Sequence, residues 1–261
     1  MSKIIQNRLT IGVPRAISYY CNFPFYYGFF KALGYDIVLS DKTTTKTINE
    51  GSKYVVSDTC LPIKVYVGHV VNLLNKGVNT IFIPSLQSIA YKVNNCSKIR
   101  GLPEIIRNVI DKPFKMIEPT LNKTDNIGFY DFCFDLAEQL GIEDEILVKT
   151  AINAGWEKYD NFIAMSNSGI PYKKALENSI NGIFEVKKVE LVKPLSVAIM
   201  AHGYNLFDER ISMNLIQKLE KMDIKVYTSL DVSREDALNS ILQLGELQYW
   251  KQTPDLFCRR S

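Results

Sequence analysis

Short apolar runs alternate with longer amphipathic segments through the first part of the chain, and this alternation constrains the fold more than any other feature. The first apolar run covers residues 9–14 and ends in a proline. An aromatic amphipathic stretch continues to residue 33, and it is followed by a second apolar run at 35–40 and a weaker helical pattern at 47–56. Strands that alternate with helices are typical of parallel, doubly wound sheets. The sequence therefore predicts an α/β fold, with the aromatic stretch packed under the sheet.

A cysteine stands at the start of the next predicted helix. Pro62 suits the first turn of a helix, because its fixed φ fits there and its missing N–H leaves no donor unpaired. The apolar periodic run after it ends at Lys76 and Gly77, which together are a C-terminal capping signal. Cys60 is therefore predicted to lie where unpaired N–H groups and the helix dipole favour a thiolate. A small buried apolar residue is the alternative interpretation, since free cysteines often have that role.

A second cysteine is predicted to lie near the same edge of the sheet. A third strand is expected at residues 78–85, and the loop 84–101 after it contains Cys96. Ligands of open α/β sheets bind outside the carboxyl ends of the strands. Cys60 and Cys96 belong to two connections that can meet there, and soft thiolates favour iron–sulfur clusters or zinc over hard ions.

The rest of the chain predicts a helical segment and a second α/β unit. Residues 125–180 carry helical periodicity, and Cys133 lies inside that apolar pattern, which indicates a structural role. Strand signals return at 194–201 and 224–227, with a helical pattern at 208–222 between them. We predict three parts, a first α/β domain, a helical linker and a second, incomplete α/β domain, at residues 9–124, 125–190 and 191–261.

Composition and charge argue against several classes of function. The net charge is +3 without a basic block, so neither nucleic acid nor a membrane surface is expected as a partner. No apolar run approaches the roughly 18 residues that span a bilayer, and residues 1–10 lack the apolar core of a signal peptide. We therefore expect a cytoplasmic protein whose cysteines are thiols or metal ligands. The sequence contains no CxxC pair and no dinucleotide or Walker phosphate motif.

The two histidines differ in their sequence context. His69 lies more than two turns into the Cys60 helix, so we expect a core or helix-face residue. His202 follows a predicted strand directly, where site residues of α/β sheets occur, so functional and structural roles both stay open. Cys21, on the aromatic stretch, is expected to be structural. Cys60 as the nucleophile of a thiol enzyme is a further alternative, although no histidine is placed convincingly as its base.

Four segments of the chain resemble one known family, namely residues 11–16, 58–69, 96–103 and 201–208. They contain Ile-Gly-Val-Pro-Arg-Ala, Asp-Thr-Cys-Leu-Pro-Ile-Lys with a later Gly-His, a cysteine before Gly-Leu-Pro, and Ala-His-Gly-Tyr-Asn-Leu-Phe-Asp. In these segments the chain is similar to the DUF2229 group, acyl-CoA dehydratase activase-related proteins that are kin to 2-hydroxyacyl-CoA dehydratase subunits. The usual form of the last segment has a proline where this chain has Gly203.

This resemblance implies a fold and a cofactor. The fold would be stacked flavodoxin-like α/β domains with a helical linker. The cofactor would be an iron–sulfur cluster of the 4Fe–4S type, held by cysteines between domains and used in low-potential electron transfer. On that analogy Cys60 and Cys96 are two metal ligands. The third cysteine of the kin comes from the second α/β domain, and Cys258 does not match its usual context.

The resemblance also implies neighbours of the cluster and partners of the protein. Arg15, Lys64 and His202 would surround the cluster. A second protein subunit, another copy of the chain or an ATP-dependent activase would be the partner, while nothing here predicts ATP hydrolysis by this chain itself. The alternative is a catalytically inactive subunit or scaffold that binds a partner protein.

Overall fold

Three sheets organise the part of the chain that the computed structural model describes, residues 9–186 and 193–232. Their strands are, in chain order, β1 (Thr10–Val13), β2 (Asp36–Leu39), β3 (Thr80–Phe82), β4 (Ser85–Ala90), β5 (Val93–Asn94), β6 (Lys115–Ile117), β7 (Thr120–Asn122), β8 (Leu195–Ala198) and β9 (Ile224–Tyr227). The sheets have the orders β2-β1-β3-β6, β5-β4-β7 and β8-β9. All strand pairs in the first and third sheets are parallel. The predicted α/β fold with parallel sheets is confirmed.

Helices connect and cover these sheets. In chain order they are α1 (Tyr19–Ala32), α2 (Thr45–Ser52), α3 (Leu61–Asn75), α4 (Ser97–Arg100), α5 (Leu102–Val109), α6 (Phe129–Gln139), α7 (Glu145–Asn167), α8 (Tyr172–Asn181), α9 (Gly203–Leu206) and α10 (Leu215–Lys221). Helices α6 to α8 form the helical segment predicted after residue 125. No helix in the described ranges is long and apolar enough to cross a membrane.

The strand order of the first sheet contains a topological switch point. The chain passes from β1 to β2 on one side and then crosses back to place β3 on the other side of β1, so Gly12 of β1 pairs with both Val38 and Ile81. In sheets of this kind, ligands bind in the crevice outside the carboxyl ends of the strands at such a point. The turn after β1 lies at this edge, and its Ile17 has a φ of 48°, a left-handed conformation that β-branched residues rarely adopt.

Helix α1 supplies the aromatic core that the sequence predicted. Phe25 is fully buried and packs edge-on against Phe129 of α6 and Trp156 of α7, with ring centroids 4.9 and 5.3 Å apart. On the sheet side, Tyr26 packs against Phe82 of β3 at 4.7 Å. Burial of one such side chain contributes about 1.5–3 kcal/mol, so this helix is a principal source of stability.

The start of α1 differs from the sequence-based expectation. The proline suggested a start near Pro24, but the helix begins at Tyr19 and Pro24 lies inside it. Pro24 cannot donate a hydrogen bond to the Tyr20 carbonyl, which normally weakens a helix. Burial of the first-turn side chains Tyr19, Tyr20 and Phe23 offsets that loss, and a local pattern does not reveal this tertiary packing.

The segment predicted as a long loop at residues 84–101 is instead mostly regular structure. It contains β4, β5 and α4, and β4 pairs in parallel with the distant β7. Polar side chains fasten this pair, since Ser88 Oγ donates to Asn122 Oδ1 at 2.8 Å and Asn122 Nδ2 donates to Gln87 Oε1 at 2.9 Å. Polar and apolar residues are mixed in the sequence of β4, and its partner strand is far along the chain. The local sequence therefore did not predict this strand.

Helices α2 and α3 cross at two glycines, which sets the position of the Cys60 helix. A Cβ added at Gly51 would overlap the Lys64 carbonyl oxygen, and one added at Gly68 would overlap the Thr47 carbonyl oxygen. The backbones therefore touch directly at both points. Only residues without a Cβ allow this approach, so these glycines hold α3 against α2.

Replacing Gly68 by alanine should destabilise the protein by about 1–3 kcal/mol, because the added methyl group forces α2 and α3 apart. The effect should exceed the roughly 1 kcal/mol that alanine gains over glycine inside a helix. Urea unfolding measures it. Gly101→Ala is the matched control, since its added Cβ would lie 3.5 Å from the nearest atom. Equal stabilities of the two variants would contradict the close contact.

Candidate functional site

Cys60 lies at the N-cap of α3, as the sequence predicted. Its carbonyl oxygen accepts hydrogen bonds from the N–H groups of Ile63 and Lys64, both at 3.2 Å, and its side chain makes no capping bond. The residue is exposed, which contradicts the alternative of a buried apolar cysteine. Lys64 Nζ donates to the Ser57 carbonyl oxygen at 2.7 Å, so this lysine fastens the loop before Cys60.

Cys96 has the same local geometry at the start of α4. Its φ and ψ are −61° and 150°, against −62° and 149° for Cys60. Its carbonyl oxygen accepts from the N–H groups of Ile99 and Arg100, both at 3.0 Å, and its side chain also makes no capping bond. Both thiols thus stand at helix starts without a local hydrogen-bonding role.

The described cysteines divide into two kinds. All four are free thiols, but Cys133 is fully buried and burial raises its pKa well above the usual value. Burial also raises the pKa of Cys21 to about 11. A Cβ added at Gly203 would lie 2.8 Å from Cys21 Sγ, so the sulfur fills the space beside this glycine. These two cysteines have the packing environment expected of structural residues.

The described residues do not offer a complete metal site. Residues 9–186 and 193–232 contain no group of three or more histidine, cysteine, aspartate or glutamate side chains that could hold a metal ion. Cys258, the doubtful third ligand, lies outside the described residues. The roles of Cys60 and Cys96 as metal ligands, and of Arg15, Lys64 and His202 as their neighbours, stay predictions.

A buried polar cluster, formed by Tyr20, Thr43, His69 and Asp208, connects the first sheet to the segment after β8. Asp208 is only 2% exposed, and its carboxylate accepts four hydrogen bonds. Its Oδ2 accepts from Tyr20 Oη at 2.8 Å and from Thr43 Oγ1. Its Oδ1 accepts from the N–H groups of Arg210 and Ile211, at 2.9 and 3.0 Å. The buried carboxylate is therefore satisfied by neutral donors.

The same cluster determines the tautomer of His69. Thr43 Oγ1 lies 2.9 Å from His69 Nε2 and has one hydrogen, which it donates to Asp208. His69 Nε2 must therefore be the donor to Thr43, which leaves Nδ1 as the unprotonated nitrogen. His69 Nδ1 is buried and has no hydrogen-bond partner among the described residues. Burial lowers the pKa of His69 to about 4, so the ring is neutral at physiological pH.

Arg15 borders this cluster at the carboxyl end of β1. Its Nε donates to the Ser40 carbonyl oxygen at 2.7 Å and its guanidinium packs on the ring of Tyr19. Its positive charge is close enough to contribute to the lowered pKa of His69. His202 lies at the N-cap of α9, where its ring stacks on Tyr204 at 5.1 Å, and burial lowers its pKa.

Sequence reasoning missed the convergence of Thr43, Tyr20 and Asp208. A partial signal was present, because three of the four segments that resemble the family meet at this cluster. Residues 11–16 bring Arg15, 58–69 bring His69, and 201–208 bring Asp208. Asp208 also explains why the helix predicted at 208–222 begins only at Leu215, since its side chain bonds the N–H groups of its own loop.

These features define an α/β protein with two thiols at helix starts and a buried polar cluster beneath the edge of its parallel sheet. The fold and the converging segments agree with one family. The chain belongs to the family described as the CoA enzyme activase uncharacterised domain (DUF2229), which matches residues 10–231. No curated protein and no solved structure matches the chain in the comparisons made.

Proposed function

We propose that this protein is an iron–sulfur redox component of the CoA enzyme activation system to which its family is related, with Cys60 and Cys96 as cluster ligands. The observation that carries the proposal is the matched pair of free thiols at the N-caps of α3 and α4. Neither thiol makes a capping hydrogen bond, and Cys60 is exposed while Cys96 is half-buried against the core. Soft thiolates at such positions are the donors that iron–sulfur clusters require.

The surroundings of Cys60 suit an anionic centre. Helix α3 has 15 residues, so its N-terminus is the positive end of a full helix dipole. Lys64 adds a positive charge one turn along the helix. The helix dipole and this charge would stabilise the negative charge of a bound cluster.

Two thiols among the described residues have the donor chemistry that an iron–sulfur cluster requires, which is fewer than the usual number of ligands. A 4Fe–4S cluster ordinarily has four protein ligands, and the described residues supply Cys60 and Cys96. We propose that the remaining ligands come from a second subunit or another copy of the chain. When bound, such a cluster supplies one-electron transfer at low potential, and an ATP-dependent activase is the proposed electron donor.

Binding of a partner protein is the second candidate function, and the surface around Cys60 favours it. Val56 is 69% exposed and Leu61 is 39% exposed, and both flank the cysteine. Apolar side chains of this kind beside a functional group are common at protein interfaces. Under this alternative the chain would be a catalytically inactive subunit or scaffold. Val56→Asp should weaken co-purification with the partner, and unchanged co-purification would count against this surface.

Anaerobic reconstitution with iron and sulfide tests the cluster proposal. The wild-type chain should gain sulfur-to-iron charge-transfer absorption in the visible region together with bound iron. Cys60→Ser and Cys96→Ser should each lose most of both signals, because a lost thiolate removes a ligand. Cys133→Ala is the control, since this cysteine is buried in the core and should not affect iron binding.

Two results would overturn the cluster proposal. One is a wild-type protein that stays colourless and free of iron, both alone and together with its co-purified partner. The other is a Cys60→Ser variant that binds as much iron as the parent.

A further inference from the structure

The donors and the acceptor of the buried polar cluster belong to different parts of the chain. Tyr20 lies on α1 and Thr43 lies between β2 and α2, so both donors belong to the first α/β unit. Asp208 follows α9, 188 positions after Tyr20 and 165 after Thr43. A movement of the segment 202–212 would therefore remove the acceptor and leave the donors in place.

The first α/β unit and its packing neighbours hold these donors without help from Asp208. The hydroxyl of Thr43 is held beside α3 by its hydrogen bond with His69 Nε2, at 2.9 Å. The ring of Tyr20 packs edge-on against Tyr19 at 5.2 Å and lies 6.4 Å from the ring of Tyr172. Burial and the Asp208 carboxylate raise the pKa of Tyr20, so it remains a hydroxyl donor. Two oriented O–H groups thus converge on one carboxylate oxygen.

The electrostatics of this edge favour an anion. Among the described residues Arg15 forms no ion pair, and its hydrogen bonds go to Ser40 and Tyr19. The nearby carboxylate of Asp41 is already paired, with Lys76 at 2.6 Å and Asn72 at 2.8 Å. The cluster also lies outside the carboxyl ends of β1 and β2, the edge at which open α/β sheets bind ligands.

We propose that Tyr20 and Thr43, with the charge of Arg15 nearby, form a binding site for the carboxylate or phosphate group of a ligand, and that Asp208 occupies this site as an internal competitor. Asp208 mimics the ligand, since it presents one carboxylate to two hydroxyl donors whose positions are set by the first α/β unit. Release of the segment 202–212 opens the site, and binding of the ligand favours the released state. The proposal does not depend on the cluster at Cys60 and Cys96.

The Asp208→Gly variant tests the site directly, because acetate has the size and charge of the side chain that is removed. Acetate should raise the midpoint of thermal unfolding of this variant by a few degrees, and the shift should grow with the logarithm of acetate concentration. Sodium chloride at equal ionic strength is the control. Adding Thr43→Val should weaken the binding about tenfold, because a hydrogen bond to a charged group is lost.

Inorganic phosphate in a parallel titration distinguishes the two ligand chemistries. A larger shift with phosphate assigns the site to phosphate groups, and a larger shift with acetate assigns it to carboxylates. If the variant folds and neither anion stabilises it more than the variant that also carries Thr43→Val, the proposal is wrong.

Hydrogen exchange on the wild-type protein tests the competition and does not require the variant to fold. Acetate or phosphate in large excess should accelerate amide exchange in residues 203–212 relative to sodium chloride. The amides of α7 serve as the internal reference, since this helix packs in the core. Unchanged exchange in 203–212 with both anions would overturn the role of Asp208 as a displaceable competitor.

Discussion

Replacing Asp208 by alanine is expected to lower the free energy of unfolding by about 3–5 kcal/mol. The carboxylate accepts four hydrogen bonds in a buried setting, from Tyr20, Thr43, Arg210 and Ile211. Alanine leaves the buried hydroxyl of Tyr20 without its acceptor and removes the acceptor of the half-buried Thr43 hydroxyl. It also leaves the N–H groups of Arg210 and Ile211, in the loop before α10, without their acceptor. The hydrogen bonds to both oxygens of the carboxylate are therefore lost.

Urea unfolding of the wild type and three variants checks this expectation. Asp208→Asn should lose less stability than Asp208→Ala, because its amide oxygen still accepts from Arg210 and Ile211. It should still lose some stability, because its NH₂ group faces the two hydroxyl donors. The matched control is Glu209→Ala, the adjacent acidic residue, whose ion pair with Lys173 is on the surface. Surface pairs contribute about 0–1 kcal/mol. Similar losses at positions 208 and 209 would contradict the buried cluster.

Stability should fall by about 3 kcal/mol as the pH drops from neutrality towards 4, through the titration of His69 alone. Burial lowers the pKa of His69 from 6.5 to about 4, so the folded state favours the neutral ring. The unfolded chain therefore binds a proton that the folded protein does not bind in this interval. The stabilisation is complete above pH 6.5 and is lost progressively as the pH approaches 4.

The surroundings of His69 agree with this sign. Burial has the largest effect and lowers the pKa of His69, and Arg15 and Lys76 act in the same direction. Asp208 and Asp41 favour the charged ring but are outweighed by burial. Chemical denaturation between pH 4 and 7 measures the effect. His69→Gln is the control, because glutamine can still donate to Thr43 but does not titrate. Carboxylates contribute equally to both proteins, so parallel stability curves for wild type and variant would contradict a neutral buried His69.

Local signals were sufficient for much of the fold. The capping signals around Pro62 and Gly77 predicted α3 and the position of Cys60, and β9 was predicted at its observed bounds. Proline and glycine impose their backbone preferences on nearest neighbours, and alternating apolar residues record which face of an element is buried. These effects operate over a few residues, so the sequence displays them directly.

The errors have a common physical origin in contacts between distant segments. Strand β4 depends on its pairing with β7, and the early start of α1 depends on burial against α7 and the sheet. In each case the local pattern indicated a break, and tertiary packing outweighed it. The domain boundaries at 124 and 190 stay predictions.

By itself, the sequence determined the α/β alternation, the thiol at the start of α3 and membership of the family, because each depends on residues that are close along the chain. Only the tertiary structure decided that Tyr20, Thr43, His69 and Asp208 form one polar cluster. The hydrogen bond between Tyr20 and Asp208 joins residues that are 188 positions apart. It produces no periodic pattern in the sequence, since its partners are brought together by the order of strands and the packing of helices. That order placed the converging segments at the edge where open α/β sheets generally bind ligands.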